Sequence, residues 1–186
     1  MKKENLKLKG IYKITKAKIE TPAQWALHDK IQDFMKSGKE YISLVRKLNK
    51  ICKTEIFVCE NIIPTVGRGL LANNLTSSSP DNDPRINYTA LGTSATAVAN
   101  SDIKLVTEFY RKGTASATNA DNIAYVTCFY TAAETSGTFK ESGLFSNGSA
   151  SADSGVLFSR VLLNSGTGIV KSVTESLTID YTINIS

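Results

Sequence analysis

The sequence predicts an α+β protein, mainly an antiparallel β-sandwich, with an N-terminal strand pair and an inserted helical hairpin. Three observations predict it. Serine and threonine number 5 in residues 1–60 and 33 in residues 61–186, and the second part breaks into short β-branched or aromatic runs between turn residues. At the C-terminus Leu177, Ile179, Tyr181, Ile183 and Ile185 alternate with Thr178, Asp180, Thr182 and Asn184, the period of a strand with one buried face. Residues 21–52 instead repeat apolar side chains at steps of three and four, the period of a helix.

The elements follow in order. Leu6, Leu8, Gly10, Tyr12 and Ile14 alternate with Lys7, Lys9, Ile11, Lys13 and Thr15, which makes a half-buried strand with lysines on its wet side. Thr21-Pro22 starts a helix, since a threonine side chain can cap orphan amides and proline suits the first turn. Ala23, Leu27, Ile31, Phe34 and Met35 form its apolar stripe up to Gly38. Tyr41, Leu44, Val45, Leu48 and Cys52 form the stripe of a second helix, so the two make a hairpin. A strand over 56–63 is placed to pair with the first. Pro64-Thr65 opens a third helix with Val66, Leu70 and Leu71 as its apolar side. Six further strands are expected, over 86–91, 105–111, 123–131, 138–145, 156–163 and 177–185, a number that suits a sandwich. Gly92, Gly143 and Gly155 suit tight turns or bulges. The last strand is expected to be tied into a sheet.

With 186 residues, 41% of them hydrophobic, the chain can bury a core and is too apolar to be disordered. No apolar run approaches the ~18 residues of a membrane span. Met1-Lys2-Lys3-Glu4-Asn5 is not followed by the apolar stretch of a secretory signal, so a soluble protein without an export signal is expected. The net charge of +5 is unevenly placed: residues 1–60 carry 14 Lys+Arg against 7 Asp+Glu, and residues 61–186 carry 8 against 10. The division expected is a basic attachment segment, 1–76, and a β-sandwich domain, 77–186.

Side chains suited to chemistry are few. The single histidine, His28, neighbours Asp29, but consecutive helix residues do not face each other, so it reads as an ordinary helix residue. Cys52, Cys59 and Cys128 lack the paired spacing of zinc motifs and are odd in number; buried, reduced thiols are expected. Asp81-Asn82-Asp83 lacks the distal glutamate of a calcium loop, and Gly67-Arg68-Gly69 lacks phosphate-loop spacing. No catalytic residue, metal or cofactor is expected. Glu108 and Glu141 both fall in strands and would make a glycosidase pair only if something completed the site. Each has a basic companion, Arg111 three residues on and Lys140 adjacent, and Arg160 lies in another strand. Structural ion pairs among Glu108, Arg111, Glu141 and Arg160 are therefore the better reading.

The lysines of the first strand suggest a surface. Lys7, Lys9, Lys13 and Lys16 would suit phosphate contacts, but Arg46 is the only arginine of the first 60 residues, and arginine is the usual base reader. Docking onto an acidic protein neighbour is favoured over direct nucleic-acid binding.

Leu8-Lys9-Gly10-Ile11-Tyr12-Lys13-Ile14, then Glu60-Asn61-Ile62-Ile63-Pro64-Thr65-Val66-Gly67-Arg68, resembles the opening of small tail-fibre-like virion proteins of tailed bacteriophages. The resemblance continues through Ala90-Leu91-Gly92-Thr93, Glu108 with Arg111, Asn119-Ala120-Asp121-Asn122, Gly137–Phe145, Gly155-Val156-Leu157 with Arg160, and the C-terminal strand. Order and spacing carry it rather than any single motif, and the hairpin at about 21–52 is its least familiar part. It implies a structural component of the particle, made in the bacterial cytoplasm, present in multiple copies and bound to other virion proteins, with no catalysis. A tail, baseplate or fibre-associated position is the leading expectation and capsid decoration or a head fibre the alternative. A carbohydrate-binding β-sandwich, stacking sugars on Tyr110, Phe129, Tyr130 and Phe145, is the alternative from another class.

Overall fold

The structure, a computed structural model, describes residues 8–77 and 83–186. Alternation makes β1 (Leu8–Lys18) two-faced: Tyr12 and Ile14 are fully buried on one side, while Lys9, Ile11 and Lys13 are exposed on the other. Thr21 caps α1 (Pro22–Lys36) reciprocally: its hydroxyl accepts from the Gln24 amide, and the Gln24 side chain accepts from the Thr21 amide. Gly38, at φ +67°, reverses the chain into α2 (Ile42–Ile51). β2 (Lys53–Glu60) then pairs antiparallel with β1, so the hairpin is the connection of a two-strand ladder, as the sequence predicts. β11 (Glu175–Ile185) pairs with the other edge of β1 along its whole length, from Leu8 opposite Ile185 to Lys18 opposite Glu175.

Between them lie α3 (Thr65–Thr76), β3 (Ile86–Gly92), β4 (Glu108–Gly113), β5 (Ser116–Ala120), β6 (Ile123–Tyr130), β7 (Gly137–Phe139), β8 (Glu141–Ser146), β9 (Val156–Leu162) and β10 (Ile169–Lys171). A five-stranded sheet runs β2-β1-β11-β6-β5, a four-stranded sheet runs β4-β3-β8-β9, and β10 pairs with β7. The compositional boundary at 76/77 does not divide the sheets, because β1 and β2 belong to the sheet of β6 and β11. The strand expected over 138–145 is split at Lys140, whose amide donates to the Gly92 carbonyl. The one expected from 105 starts only at Glu108. β5 and β10 are additional: β5 has no large side chain and lies at a sheet edge, and β10 has three residues, so neither leaves a periodic apolar signal.

The two larger sheets pack face to face. Tyr12, Ile14, Val126, Cys128, Ile179 and Tyr181 from one meet Leu91, Leu144, Phe158 and Val161 from the other. The hairpin covers the opposite side of the five-stranded sheet, where Ile31, Val45 and Leu48 pack with Ala17 and Phe129. The buried stripe of α1 is Gln24, His28 and Ile31, rotated from the expected one: Ala23 is exposed and Leu27, Phe34 and Met35 are partly buried. Polar side chains can take that face because each finds a partner there, Gln24 Nε2 donating to the Ile51 carbonyl at 2.7 Å and His28 Nε2 accepting from a backbone amide.

Against β9, α3 sends Leu70 into the central core and Val66 toward a third cluster around Ala90, Leu105, Phe145 and Leu157. Gly67 permits this approach: a Cβ there would lie 2.5 Å from the Phe158 carbonyl oxygen, whereas one on Gly69 would meet nothing within 4 Å. Gly67→Ala should therefore lower unfolding free energy in urea by about 1–3 kcal/mol. Gly69→Ala, in the same helix, should be neutral or stabilising by up to ~1 kcal/mol.

Candidate functional site

The four charged residues singled out in the strands form two separate networks rather than one. At the start of β8, Glu141 is fully buried and accepts from the Thr107 amide (2.8 Å), the Val106 amide (3.2 Å) and Arg160 Nε (2.8 Å). Arg160, fully buried on β9, also donates to Asp102 Oδ2 (2.8 Å) and to the carbonyls of Thr96 (2.8 Å) and Ala97 (3.2 Å). Arg160 and Glu141 together thus hold the chain of residues 93–107 against the four-stranded sheet. Gly92 makes room, since a Cβ there would come 2.6 Å from Glu141 Cγ.

Glu108 and Arg111 form the second pair, bidentate at 2.6 and 2.8 Å. Residues three apart on a regular strand face opposite ways, and a bulge brings these together. Gly92 is opposite Glu108 and Leu91 is opposite Tyr110, so Phe109 has no partner, the alternation resets, and Phe109 is left 59% exposed. The guanidinium lies 4.6 Å from the Phe145 ring centroid and donates to the carbonyls of Ser149 (3.2 Å) and Ser154 (2.9 Å). This pair fastens the loop between β8 and β9. Neither glutamate is left free to act as acid or base.

The lysines divide. Lys9 and Lys13 are exposed on the outer side of β1, flanking Ile11 and beside Ile56 and Val58 of β2, which are 56% and 67% exposed. Lys16 has the inward parity of Ile14 and is paired with Glu55 at 3.1 Å and Glu175 at 3.6 Å, so it does not belong to the exposed row. Lys7 lies outside the described residues, as do Asp81 and Asn82; Asp83 pairs with Arg85. Lys30, Lys36, Lys39, Lys47 and Lys50 extend the exposed basic surface over the hairpin.

Of the four aromatics considered for sugar stacking, Phe129, Tyr130 and Phe145 are fully buried, and Tyr110 is partly buried against the core. They form no exposed platform. All three cysteines are free and buried, and burial pushes the Cys128 thiol up to about 12. Among the described residues no three His, Cys, Asp or Glu side chains converge as metal ligands, and no helix is long and apolar enough to cross a membrane. Arg68, in the Gly-Arg-Gly segment, donates to the Ile63 carbonyl at 2.8 Å. A groove of about 740 Å³ opens between the sheets, floored by Ile86, Phe158 and Ile183 and rimmed by Arg85, Asn119 and Asn147.

Two buried polar groups stand apart from these networks: His28, expected to be an ordinary helix residue, and Lys171, which the sequence did not single out. His28, 1% exposed, accepts from the Ala132 amide, and Lys171, 1% exposed, donates to the Ala132 and Thr135 carbonyls. The only local trace is the position of His28 midway between Gln24 and Ile31 on one helix face. No protein-family model matches the chain, and no curated protein or solved structure matches it.

Arg160→Met should cost about 3–5 kcal/mol in urea denaturation, because Glu141 is left charged and buried. Adding Glu141→Gln should recover part of that loss, a coupling read from the double-mutant cycle.

Proposed function

We propose that this chain is a structural protein of a tailed-bacteriophage particle, tail-, baseplate- or fibre-associated, that binds neighbouring virion proteins in multiple copies and takes part in host attachment. The observation that carries the reading is where the charge goes. The buried carboxylates and guanidiniums are used up inside the fold, pinning loops to sheets, while Lys9 and Lys13 on the outer side of β1 and five lysines of the hairpin are exposed. Such a protein acts through its surfaces. Lysines interleaved with exposed Ile11, Ile56 and Val58 suit an acidic protein neighbour with apolar contacts: charge steers the encounter and apolar area holds it. The resemblance noted in the sequence supplies the particle.

The test is a cryo-EM map of the assembled particle with mass spectrometry of its proteins. Density for the chain in the tail, baseplate or fibres supports the proposal. Density on the head shell replaces it with the decoration reading, and absence from purified particles overturns both. The double charge reversal Lys9→Glu/Lys13→Glu should cost no more than about 1 kcal/mol of stability, since both side chains are exposed and Lys13 faces Asp180 across the ladder, and should reduce incorporation into particles.

A further inference from the structure

The turn after β6 is held by two buried groups that grip the same residue. Ala132 donates its amide to His28 Nε2 at 3.1 Å, while its carbonyl accepts from Lys171 Nζ at 3.0 Å. Lys171 also donates to the carbonyls of Thr135 (2.5 Å) and Ser172 (3.4 Å). Both side chains are 1% exposed, and among the described residues no carboxylate is bonded to the Lys171 ammonium. His28 is on α1, so its bond fastens the hairpin to the sandwich.

The bond requires the neutral imidazole with its proton on Nδ1, because Nε2 is the acceptor. A second proton would go onto Nε2, directly facing the Ala132 N–H. The cation formed would be enclosed beside an existing one. The other charged groups around the pair are committed elsewhere. Glu134 accepts from the Thr131 amide at 2.7 Å and pairs with Lys112, and Glu175 accepts from the Ser172 amide at 2.7 Å and pairs with Lys16. Asp29, 69% exposed, stands 3.6 Å from His28 Nδ1, and the edge of Trp25 packs on the ring. α2 adds Val45 and Leu48 to the cluster that holds Ala132, and Tyr41 at its start is partly buried against that cluster, its hydroxyl pushed up by burial to about 12.

We propose that His28 is an acid-sensitive latch: when protonated it releases the Ala132 amide, and the α1–α2 hairpin undocks from the five-stranded sheet while the sandwich stays folded. Undocking bares Ala17 and Phe129 on the sheet and Ile31, Val45 and Leu48 on the hairpin, so the basic segment changes from a closed to an open binding surface. Burial first, and Lys171 in addition, hold the His28 imidazole below its ordinary 6.5, against the opposing pull of Asp29 and Glu134. Lys171, lowered by burial to about 8, stays charged throughout the acid range. The sign follows: a depressed folded value means the docked state is fully favoured above 6.5 and loses that advantage as pH falls through the folded value.

The test uses the whole chain between pH 7.5 and 5. His28 is the only histidine and Trp25 the only tryptophan, with ring centroids 5.4 Å apart, so NMR titration of the imidazole and tryptophan fluorescence both report on the latch. Hydrogen exchange over residues 22–51, corrected for its intrinsic pH dependence, should show opening that grows up to ~10-fold per pH unit below 6.5, with β6 and β11 still protected. His28→Gln, which offers an acceptor that does not titrate, should abolish that growth. An imidazole titrating at or above 6.5, an unchanged pH response in His28→Gln, or hairpin and sandwich opening together would overturn the proposal. Hydrogen exchange of the unsubstituted chain, set beside the imidazole titration, decides the question even if the variant fails to fold.

Discussion

From Leu8 to Lys18 every residue of β1 faces a residue of β11, and from Ile11 to Lys18 each also faces one of β2. The strand is therefore bonded on both edges and buried at Tyr12 and Ile14, and it joins the two ends of the chain at the middle of a sheet. A one-residue slip of β1 would turn Tyr12 and Ile14 out of the core, so the register is set by burial as much as by hydrogen bonds. The hairpin's position depends on this ladder. It leaves from Lys18 and returns at Lys53, which face each other, so it must fold back over the same end of the sheet. It meets Ala17 and Phe129 there. Arg46 reaches Asp180 of β11 at 2.5 and 2.6 Å, and Asn49 reaches Thr178 at 2.9 Å.

Buried charge does a different job. Taking Arg160 and Glu141 fully out of water is costly, and their attraction offsets that cost only because the remaining polar atoms are also satisfied, by backbone amides and carbonyls of residues 96–107. The outcome is specificity of path: a long connection without regular structure is held in one course across the sheet. Arg111 does the same for the loop after β8. These side chains behave as internal fasteners.

The resulting molecule has an apolar sandwich as its rigid body and a basic hairpin attached to it through one apolar cluster and a few polar contacts. Ile11, Ile56 and Val58 remain outside that cover, beside Lys9 and Lys13.

Much of the fold was legible in local pattern. The period-two runs at 8–15 and 177–185 and the stripes of 21–52 place β1, β11 and the hairpin, because burial on one face imposes its period on the side chains. The pairing of Glu108 with Arg111 was legible too, since a charge in a buried strand needs an opposite one, whereas Glu141 pairs with Arg160 and not with the adjacent Lys140. Pattern was silent where tertiary contacts decide. The phase reset at Phe109 depends on how β4 aligns with β3. The inward turn of Lys16 depends on Glu55 and Glu175, and the buried stripe of Gln24 and His28 on the carbonyl and amide groups they meet. The sequence by itself determined the strands, the helices and the separation of basic from near-neutral segments. Only the tertiary structure decided which polar groups lie inside, because burial of a polar atom is set by a partner far away in the chain.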